Sequence, residues 1–238
     1  LEARGYGVVR TGLTRSALAG RGIQRAKRGH TLDPITLNLL YATDFWDRLE
    51  RQIIPALQAG MVALVDRYIW SLMARARVRG VSGRWLRDLY GFALVPDKVI
   101  YLDIDVEHLA PRVLAGAGFD YWESGMDAGM GADFYDSFIS YQSKMLKEFD
   151  RMTTEYGFKV IDASRSVARV SADLRKAVAK VIDAPASDEP LPPRRTATSA
   201  VSAAARLAAA GTSKSAGIAR VPVTPRVRTH GASIGEEE

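Results

Sequence analysis

Three polar side chains, Asp66, Arg67 and Tyr68, stand together directly after the apolar run Met61–Val65. A short, partly β-branched apolar run of this kind is typical of a strand that is buried on both faces. Ligands of open α/β sheets bind just beyond the carboxyl ends of such strands, and a guanidinium group fits two oxygens of one phosphate. The position of Arg67 therefore favours phosphate binding. The alternative is that the sequence Asp-Arg-Tyr only ends the strand with an ion pair.

The elements that would position these side chains alternate along the chain. Apolar runs predict strands near residues 6–10, 61–65, 99–104 and 158–164. Between the first two, Pro34 opens a long helical pattern. Its apolar residues recur at spacings of three and four: Leu37, Leu40, Tyr41, Phe45 and Leu49. Strands that alternate with helices predict crossover connections and a parallel sheet flanked by helices, which is an α/β fold.

Composition narrows the class of protein. The 238 residues include no cysteine, which excludes disulfides and thiolate chemistry, and no apolar run approaches the roughly 20 residues that span a bilayer. The net charge of +6 fits anionic partners such as phosphate-bearing molecules, although a solvated basic surface explains it equally. From Ala184 the sequence turns to Ala, Ser, Thr, Pro and Arg. This predicts one domain over 1–183 and a disordered low-complexity tail over 184–238, with a short helix over 200–210 as an open alternative.

The order of these segments resembles that of the thymidylate kinases, a family of P-loop nucleoside monophosphate kinases, from about Leu1 to Ile182. The most specific stretch is LLYATDFWDRLERQIIPALQAGMVALVDRYIWS, residues 39–71. It contains a helix with an aromatic residue, then a strand that ends in Asp-Arg-Tyr, with a serine nearby. PDKVIYLDID is similar to the family's next strand, and YQSKMLKEFDRM and FKVIDAS are similar to its closing helix and strand. The resemblance implies a three-layer fold with a parallel sheet between helices.

The resemblance also implies a site for the acceptor nucleotide beside this strand. Arg67 would hold the acceptor phosphate, and Asp66 would orient Arg67 or lie near a magnesium ion, because phosphoryl transfer depends on positioning and charge stabilisation. Tyr68 and Ser71 would pack and form hydrogen bonds around the acceptor. Tyr41 would stack on the base, unless it is only a core position of its helix.

The chain departs from the family at positions that would contact the base and the phosphates. Phe45 stands four residues after the stacking aromatic, where the family has an arginine that contacts the base. Two further acceptor positions are Leu72 and Arg75. The sequence RTGLTRSAL replaces the family's Arg-Glu-Pro-Gly-Gly turn, where Arg10 or Arg15 could supply a phosphate contact or remain a surface charge.

Residues 117–132 form a glycine-rich stretch that we call the lid segment, because the resemblance places a mobile loop there that closes over the site. Its acidic residues Asp120 and Glu123 would face magnesium or the acceptor's sugar, with a solvated loop as the alternative. The chain contains no G-x-x-x-x-G-K-S/T sequence. The first strand and P-loop are therefore expected in a segment that precedes Leu1.

The activity that the resemblance implies is ATP-dependent phosphoryl transfer to a nucleoside monophosphate, dTMP to dTDP, with ATP and Mg²⁺ as cofactors. A kinase-like protein with a different phosphate acceptor, and a nucleotide-binding module that has lost catalysis, remain alternatives. The expected partners are a nucleoside monophosphate and ATP, in the cytoplasm. No membrane and no specific nucleic-acid partner is expected, and a homodimer stays open.

The composition of the tail leads to a first prediction. A protein that ends at Ala184 should unfold at the same temperature as the 238-residue chain, because the tail has few large apolar residues with which to pack on the domain. Differential scanning calorimetry of both proteins measures this directly. A melting temperature lower by more than about 4 °C, roughly 1 kcal/mol for a domain of this size, would show that the tail stabilises the fold.

Overall fold

The computed structural model describes residues 1–29 and 32–184 of the 238. The domain predicted over 1–183 therefore falls almost entirely within the described residues. The predicted tail from residue 185 onward, including the helix considered over 200–210, lies outside them. No helix within the described ranges is long and apolar enough to cross a membrane.

Four strands form two parallel pairs. Strands β1 (Val8–Gly12) and β2 (Val62–Asp66) pair so that Gly12 lies opposite Asp66. Strands β3 (Ile100–Asp103) and β4 (Lys159–Asp162) pair so that their final residues are also opposite each other. The predicted parallel strands are confirmed, within about two residues at each end. Among the described residues no ladder joins the two pairs, so the strands form two two-stranded sheets.

Helices separate the strands and follow the last one, in the alternating order that the sequence predicts. They are α1 (Gly20–Gly29), α2 (Pro34–Arg48), α3 (Ile54–Gln58), α4 (Ile69–Val78), α5 (Gly83–Leu89), α6 (Val106–Ala115), α7 (Phe134–Tyr156) and α8 (Val167–Ile182). Local sequence explains several of their ends. Pro34 occupies the first turn of α2, whose cap Asp33 accepts a hydrogen bond from the Ile35 N–H, and Ser82 caps α5 by accepting from the Trp85 N–H.

A wide π-helical turn, Leu49–Ile53, joins α2 to α3 in one continuous helical segment. Its wide hydrogen bond runs from the Ile54 N–H to the carbonyl of Leu49, five residues earlier. Pro55 follows at once and has no N–H to donate, so regular α-helical bonding cannot continue through it. The wider turn lets the helix pass this proline, and α2 and α3 together span residues 34–58.

The core lies between the long helices. Phe45 of α2, Leu72 of α4 and Met152 of α7 are almost fully buried within one cluster of apolar side chains. The ring of Phe45 meets that of Tyr68 edge to face at 5.0 Å, a geometry that aromatic pairs favour. This packing fixes α2 and α4 against each other, and these two helices carry most of the cleft described below.

A buried ion pair ties the loop after β1 to α2. Asp44 and Arg48 are both fully buried, and the Arg48 Nε donates to Asp44 Oδ2 at 2.9 Å. The same carboxylate accepts the backbone N–H groups of Thr14 at 3.1 Å and Ser16 at 3.0 Å. Thr14 has φ of +57°, a conformation that costs energy for a non-glycine residue and persists only where its surroundings hold it. Asp44 provides that constraint.

Replacing Asp44 by alanine should therefore be strongly destabilising, because it leaves the buried Arg48 charge and two backbone N–H groups without their partner. We expect a loss of about 3–5 kcal/mol of unfolding free energy, the range for a broken buried pair. Urea unfolding of Asp44→Ala against the parent protein measures it. Arg10→Met is the control, because Arg10 and its partner Glu2 are mostly exposed and such pairs contribute about 0–1 kcal/mol. Equal losses in both variants would contradict the structural role of Asp44.

Candidate active site

The backbone at the carboxyl end of β2 is held in an unusual conformation. Arg67 has φ of +54°, in the left-handed region that disfavours residues with a Cβ. This turn directs the chain from β2 into α4 and leaves about half of the Arg67 side chain, 47%, exposed. Strain of this kind is concentrated at functional positions, which singles out Arg67 among the arginines of residues 1–29 and 32–184.

The partner of Arg67 is Glu123 of the lid segment. The Arg67 Nη1 donates to Glu123 Oε1 at 3.0 Å, across 56 positions of sequence. Arg75 of α4 donates to the same oxygen. Burial by itself would raise the pKa of the Glu123 carboxyl, but the charges of Arg75 and Arg67 outweigh burial and lower the pKa to about 2. Glu123 is therefore a carboxylate that two guanidinium groups share.

Asp120 sets the position of Glu123 through the backbone. Its Oδ1 accepts the N–H groups of Trp122 and Glu123, each at 3.0 Å, and so forms a tight turn. The indole of Trp122 donates to the carbonyl of Lys27 at 3.1 Å. The lid segment is thereby seated on α1 at one end, while Glu123 faces the two arginines.

A second arginine of α4 holds the other part of the lid segment. Arg79, one helical turn after Arg75, binds Asp127 through two hydrogen bonds of 2.7 and 2.8 Å and donates to the hydroxyl of Tyr141 at 2.6 Å. Gly125 lies so close to Tyr141 that a Cβ would stand 2.7 Å from its ring, and its φ is +65°. Only glycine fits at this position.

A narrow cleft opens beside these contacts. Its lining residues are Pro34, Leu37, Asn38, Tyr41, Leu72, Arg75, Ala76, Arg79 and Trp122. The free volume within it is about 20 Å³, room for about one water molecule. Tyr41 is 7% exposed, and burial raises the pKa of its hydroxyl. The cleft thus joins an aromatic ring, apolar side chains and two guanidinium groups.

Comparison with known proteins identifies the family. The family model described as thymidylate kinase matches residues 1–174. The chain belongs to the thymidylate kinase family. It is 35% identical over 163 residues to a protein of Saccharolobus solfataricus named probable thymidylate kinase 2, covering 68% of this chain and 76% of that one. It is 30% identical over 190 residues to the thymidylate kinase of Shouchella clausii, covering 76% of this chain and 85% of that one.

The residues predicted from the thymidylate kinase resemblance divide into two groups. Tyr41 lines the cleft, and Arg67 lies at the end of β2 with Glu123. Phe45 and Tyr68 are instead packed together in the core, and the Tyr68 hydroxyl donates to the carbonyl of Leu94 at 2.7 Å. Their surroundings give them a packing role, so we do not propose them as substrate contacts.

The remaining predicted residues lie around the end of β2. Asp66 is exposed and forms no ion pair with any residue of the described ranges, so the partner of Arg67 is Glu123 and not Asp66. Ser71 is half-buried in the first turn of α4. Arg15 is exposed, with its Nε 3.5 Å from the place that a Cβ on Gly12 would occupy. Arg15 and Asp66 therefore share one edge of the sheet.

Sequence reasoning missed the roles of Lys27 and Arg79 and left that of Arg75 undefined. Arg75 and Arg79 are four residues apart in ARARVR, the spacing that puts two side chains on one face of a helix. That spacing was the available signal. A second signal was the same four-residue spacing of Glu123 and Asp127 in the lid segment. In the structure, Glu123 pairs with Arg75 and Asp127 pairs with Arg79.

Glutamine at position 123 should remove an acid-sensitive part of the stability. Because the folded pKa of Glu123 is below the ordinary value of 4.5, its contribution is complete above pH 4.5 and is lost as the pH falls towards 2. We expect Glu123→Gln to lose roughly 1–2 kcal/mol at pH 7, after solvent screening of a partly exposed pair. Urea unfolding between pH 2.5 and 7 should show this difference shrinking with acid. Glu50→Gln, at an exposed position, is the control, and a difference independent of pH would contradict the ion-pair account.

Proposed function

We propose that this chain binds the acceptor nucleotide of the thymidylate kinase reaction, in which the γ-phosphoryl group of ATP passes to dTMP and forms dTDP. The observation that carries the proposal is the strained Arg67 at the carboxyl end of β2, half-exposed and paired with a carboxylate. Membership of the thymidylate kinase family supports the reaction. A guanidinium group that binds a carboxylate in this way has the geometry to bind a phosphate.

Arg67 and Arg75 are the groups that we assign to the acceptor phosphate. Both contact one oxygen of Glu123, so both guanidinium groups converge on one point, and Arg75 also lines the cleft. An entering phosphate would compete with Glu123 for these donors. Once bound, it would be oriented by two cations, which keeps the acceptor oxygen in line with the donor and spreads its charge during transfer.

Tyr41 is the residue that we assign to the base. Its ring lines the cleft between the apolar side chains of Leu37 and Leu72, and an aromatic face stacks on any base. Leu37 and Leu72 offer apolar surface that suits the methyl group of thymine. The side chain of Asn38 also lines the cleft, where its Nδ2 donates to the carbonyl of Pro34 at 2.7 Å. Its amide oxygen leaves one acceptor for the base.

Asp66 is the residue in this chain that fits a magnesium ion best. It is an exposed carboxylate at the sheet edge, and among the described residues it is unpaired. The described ranges contain no cluster of three or more His, Cys, Asp or Glu side chains that could hold a metal. Kinases bind Mg²⁺ through one or two carboxylates and the substrate phosphates, so a single carboxylate is compatible with it. When bound, Mg²⁺ neutralises charge on the phosphates of ATP.

The ATP side of the reaction stays a prediction. The 238 residues contain no G-x-x-x-x-G-K-S/T sequence. The cytoplasmic location and a homodimer are likewise predictions from the sequence. We assign no donor contact to the described residues.

A different phosphate acceptor is the second candidate function. Its support is the position of Phe45, which lies in the core where the family has a base-contacting arginine. The arginines that do line the cleft, Arg75 and Arg79, are engaged by Glu123 and Asp127. A site with few free polar groups for the base discriminates weakly among bases.

Lysine in place of Arg67 keeps the positive charge but removes the planar guanidinium group that can bind two phosphate oxygens. The variant therefore distinguishes a phosphate-binding role of Arg67 from that of a surface ion pair. We expect Arg67→Lys to bind dTMP roughly 10- to 100-fold more weakly, which corresponds to about 1.5–3 kcal/mol for a charged hydrogen bond. Unfolding free energy should change little. Isothermal titration calorimetry with dTMP, dUMP, AMP, GMP and CMP measures affinity and base preference together.

Arg77→Lys is the matched control, because Arg77 lies on the same part of the chain and pairs with Glu148 of α7 near the surface. It should bind dTMP like the parent protein. Equal dTMP affinity of Arg67→Lys and the parent would remove Arg67 from the site. Tighter binding of another nucleotide than of dTMP would favour the second candidate function.

A further inference from the structure

Lys27, near the end of α1, packs against Trp122, which lines the cleft, although nothing in its local sequence distinguishes it from its basic neighbours. Its Nζ stands over the ring of Trp122, 5.6 Å from the centroid, and the Trp122 indole donates to its carbonyl. The side chain is half-buried. Its charge interacts with those of Arg75, Asp120, Glu123 and Arg67, so it belongs to the same group of charges as the proposed phosphate site.

The charges around Lys27 do not balance. Lys27, Arg67 and Arg75 contribute three positive charges, whereas Asp120 and Glu123 contribute two negative ones. Glu123 is shared by the two arginines. Asp120 directs one of its oxygens to two backbone N–H groups. Within residues 1–29 and 32–184, Lys27 forms no ion pair, so its three N–H donors are available to a ligand.

We propose that Lys27 is a third cation of the acceptor site, and that its ammonium group binds the phosphate of the incoming monophosphate together with Arg67 and Arg75. This inference rests on the proposed function, because it names a further contact of the same site. A phosphate monoester carries nearly two negative charges at neutral pH and three acceptor oxygens. It therefore offers one oxygen to each cation, and its charge more than offsets the single positive charge that Asp120 and Glu123 leave.

The electrostatics of the empty cleft support this assignment. Burial, followed by repulsion from Arg75, lowers the pKa of the Lys27 ammonium group. A bound dianion would reverse that effect and favour the charged form. As the pH rises, free Lys27 loses its proton before an ordinary lysine does, so dTMP affinity should fall with pH. The charged groups that face Lys27 are the carboxylates Asp120 and Glu123 and the guanidinium groups of Arg67 and Arg75.

Calorimetric titration of dTMP, thymidine and inorganic phosphate into the 238-residue chain and three variants tests the proposal. Lys27→Met should bind dTMP roughly 10-fold more weakly or worse, and it should bind thymidine as the parent does, because thymidine has no phosphate. Lys27→Arg should keep dTMP affinity near that of the parent. It should also lose less affinity between about pH 7 and pH 10, since arginine stays protonated.

Arg25→Met is the matched control. It removes one positive charge from the same helix, but Arg25 is exposed and lies about 200° around the helix from Lys27. It should bind all three ligands like the parent. A purely structural role for Lys27 would weaken dTMP and thymidine binding equally and leave no pH difference between the parent and Lys27→Arg, and that result would overturn the proposal.

The inorganic phosphate titration separates this inference from the proposed function. If the parent fails to bind dTMP but binds phosphate, and Lys27→Met weakens phosphate binding, the proposed function is wrong and the anion site at Lys27 stands. If the parent binds dTMP and Lys27→Met binds both ligands unchanged, the inference alone is wrong. Binding of neither ligand by the parent would overturn both.

Discussion

Repulsion among the cations at the carboxyl end of β2 is the constraint on which this site depends. Arg67 and Arg75 both contact Glu123, and Lys27 interacts with the charges of all three. Where such cations are partly buried, like charges repel more strongly than at the surface. The carboxylate of Glu123 offsets that repulsion while no ligand is bound. The turn that Asp120 forms contributes to this, because it positions the Glu123 carboxylate next to Arg67 and Arg75.

The scaffold supplies rigidity at the points where this charge cluster needs it. Tyr41 and Asp44 lie three residues apart on α2, one lining the cleft and the other holding the loop after β1. One helix therefore couples the aromatic wall of the cleft to the edge of the sheet. The π-helical turn at Leu49–Ile53 lets that helix continue past Pro55, so α2 and α3 remain one support for the site.

The sequence predicted those features that depend on neighbours along the chain. Apolar runs predicted the strands, and apolar periodicity predicted the helix that begins at Pro34. The same periodicity placed Phe45 on a helix but could not tell the core face from the cleft face. The contact between Arg67 and Glu123 spans 56 positions and depends on how the lid segment folds over α4, so no local pattern encodes it.

Arg75 of α4 and Arg79 at its C-cap pair with two acids of the lid segment that have the same spacing: Arg75 with Glu123, and Arg79 with Asp127. Displacement of Glu123 would release only the first of these two anchors, because Asp127 and the close approach of Gly125 to Tyr141 hold the segment at the second. Arrival of a phosphate would thus loosen one end of the segment while the other end acts as a hinge. The residence time of the product would then depend on how fast Glu123 returns to Arg67 and Arg75. Part of each turnover would be the time that this return takes.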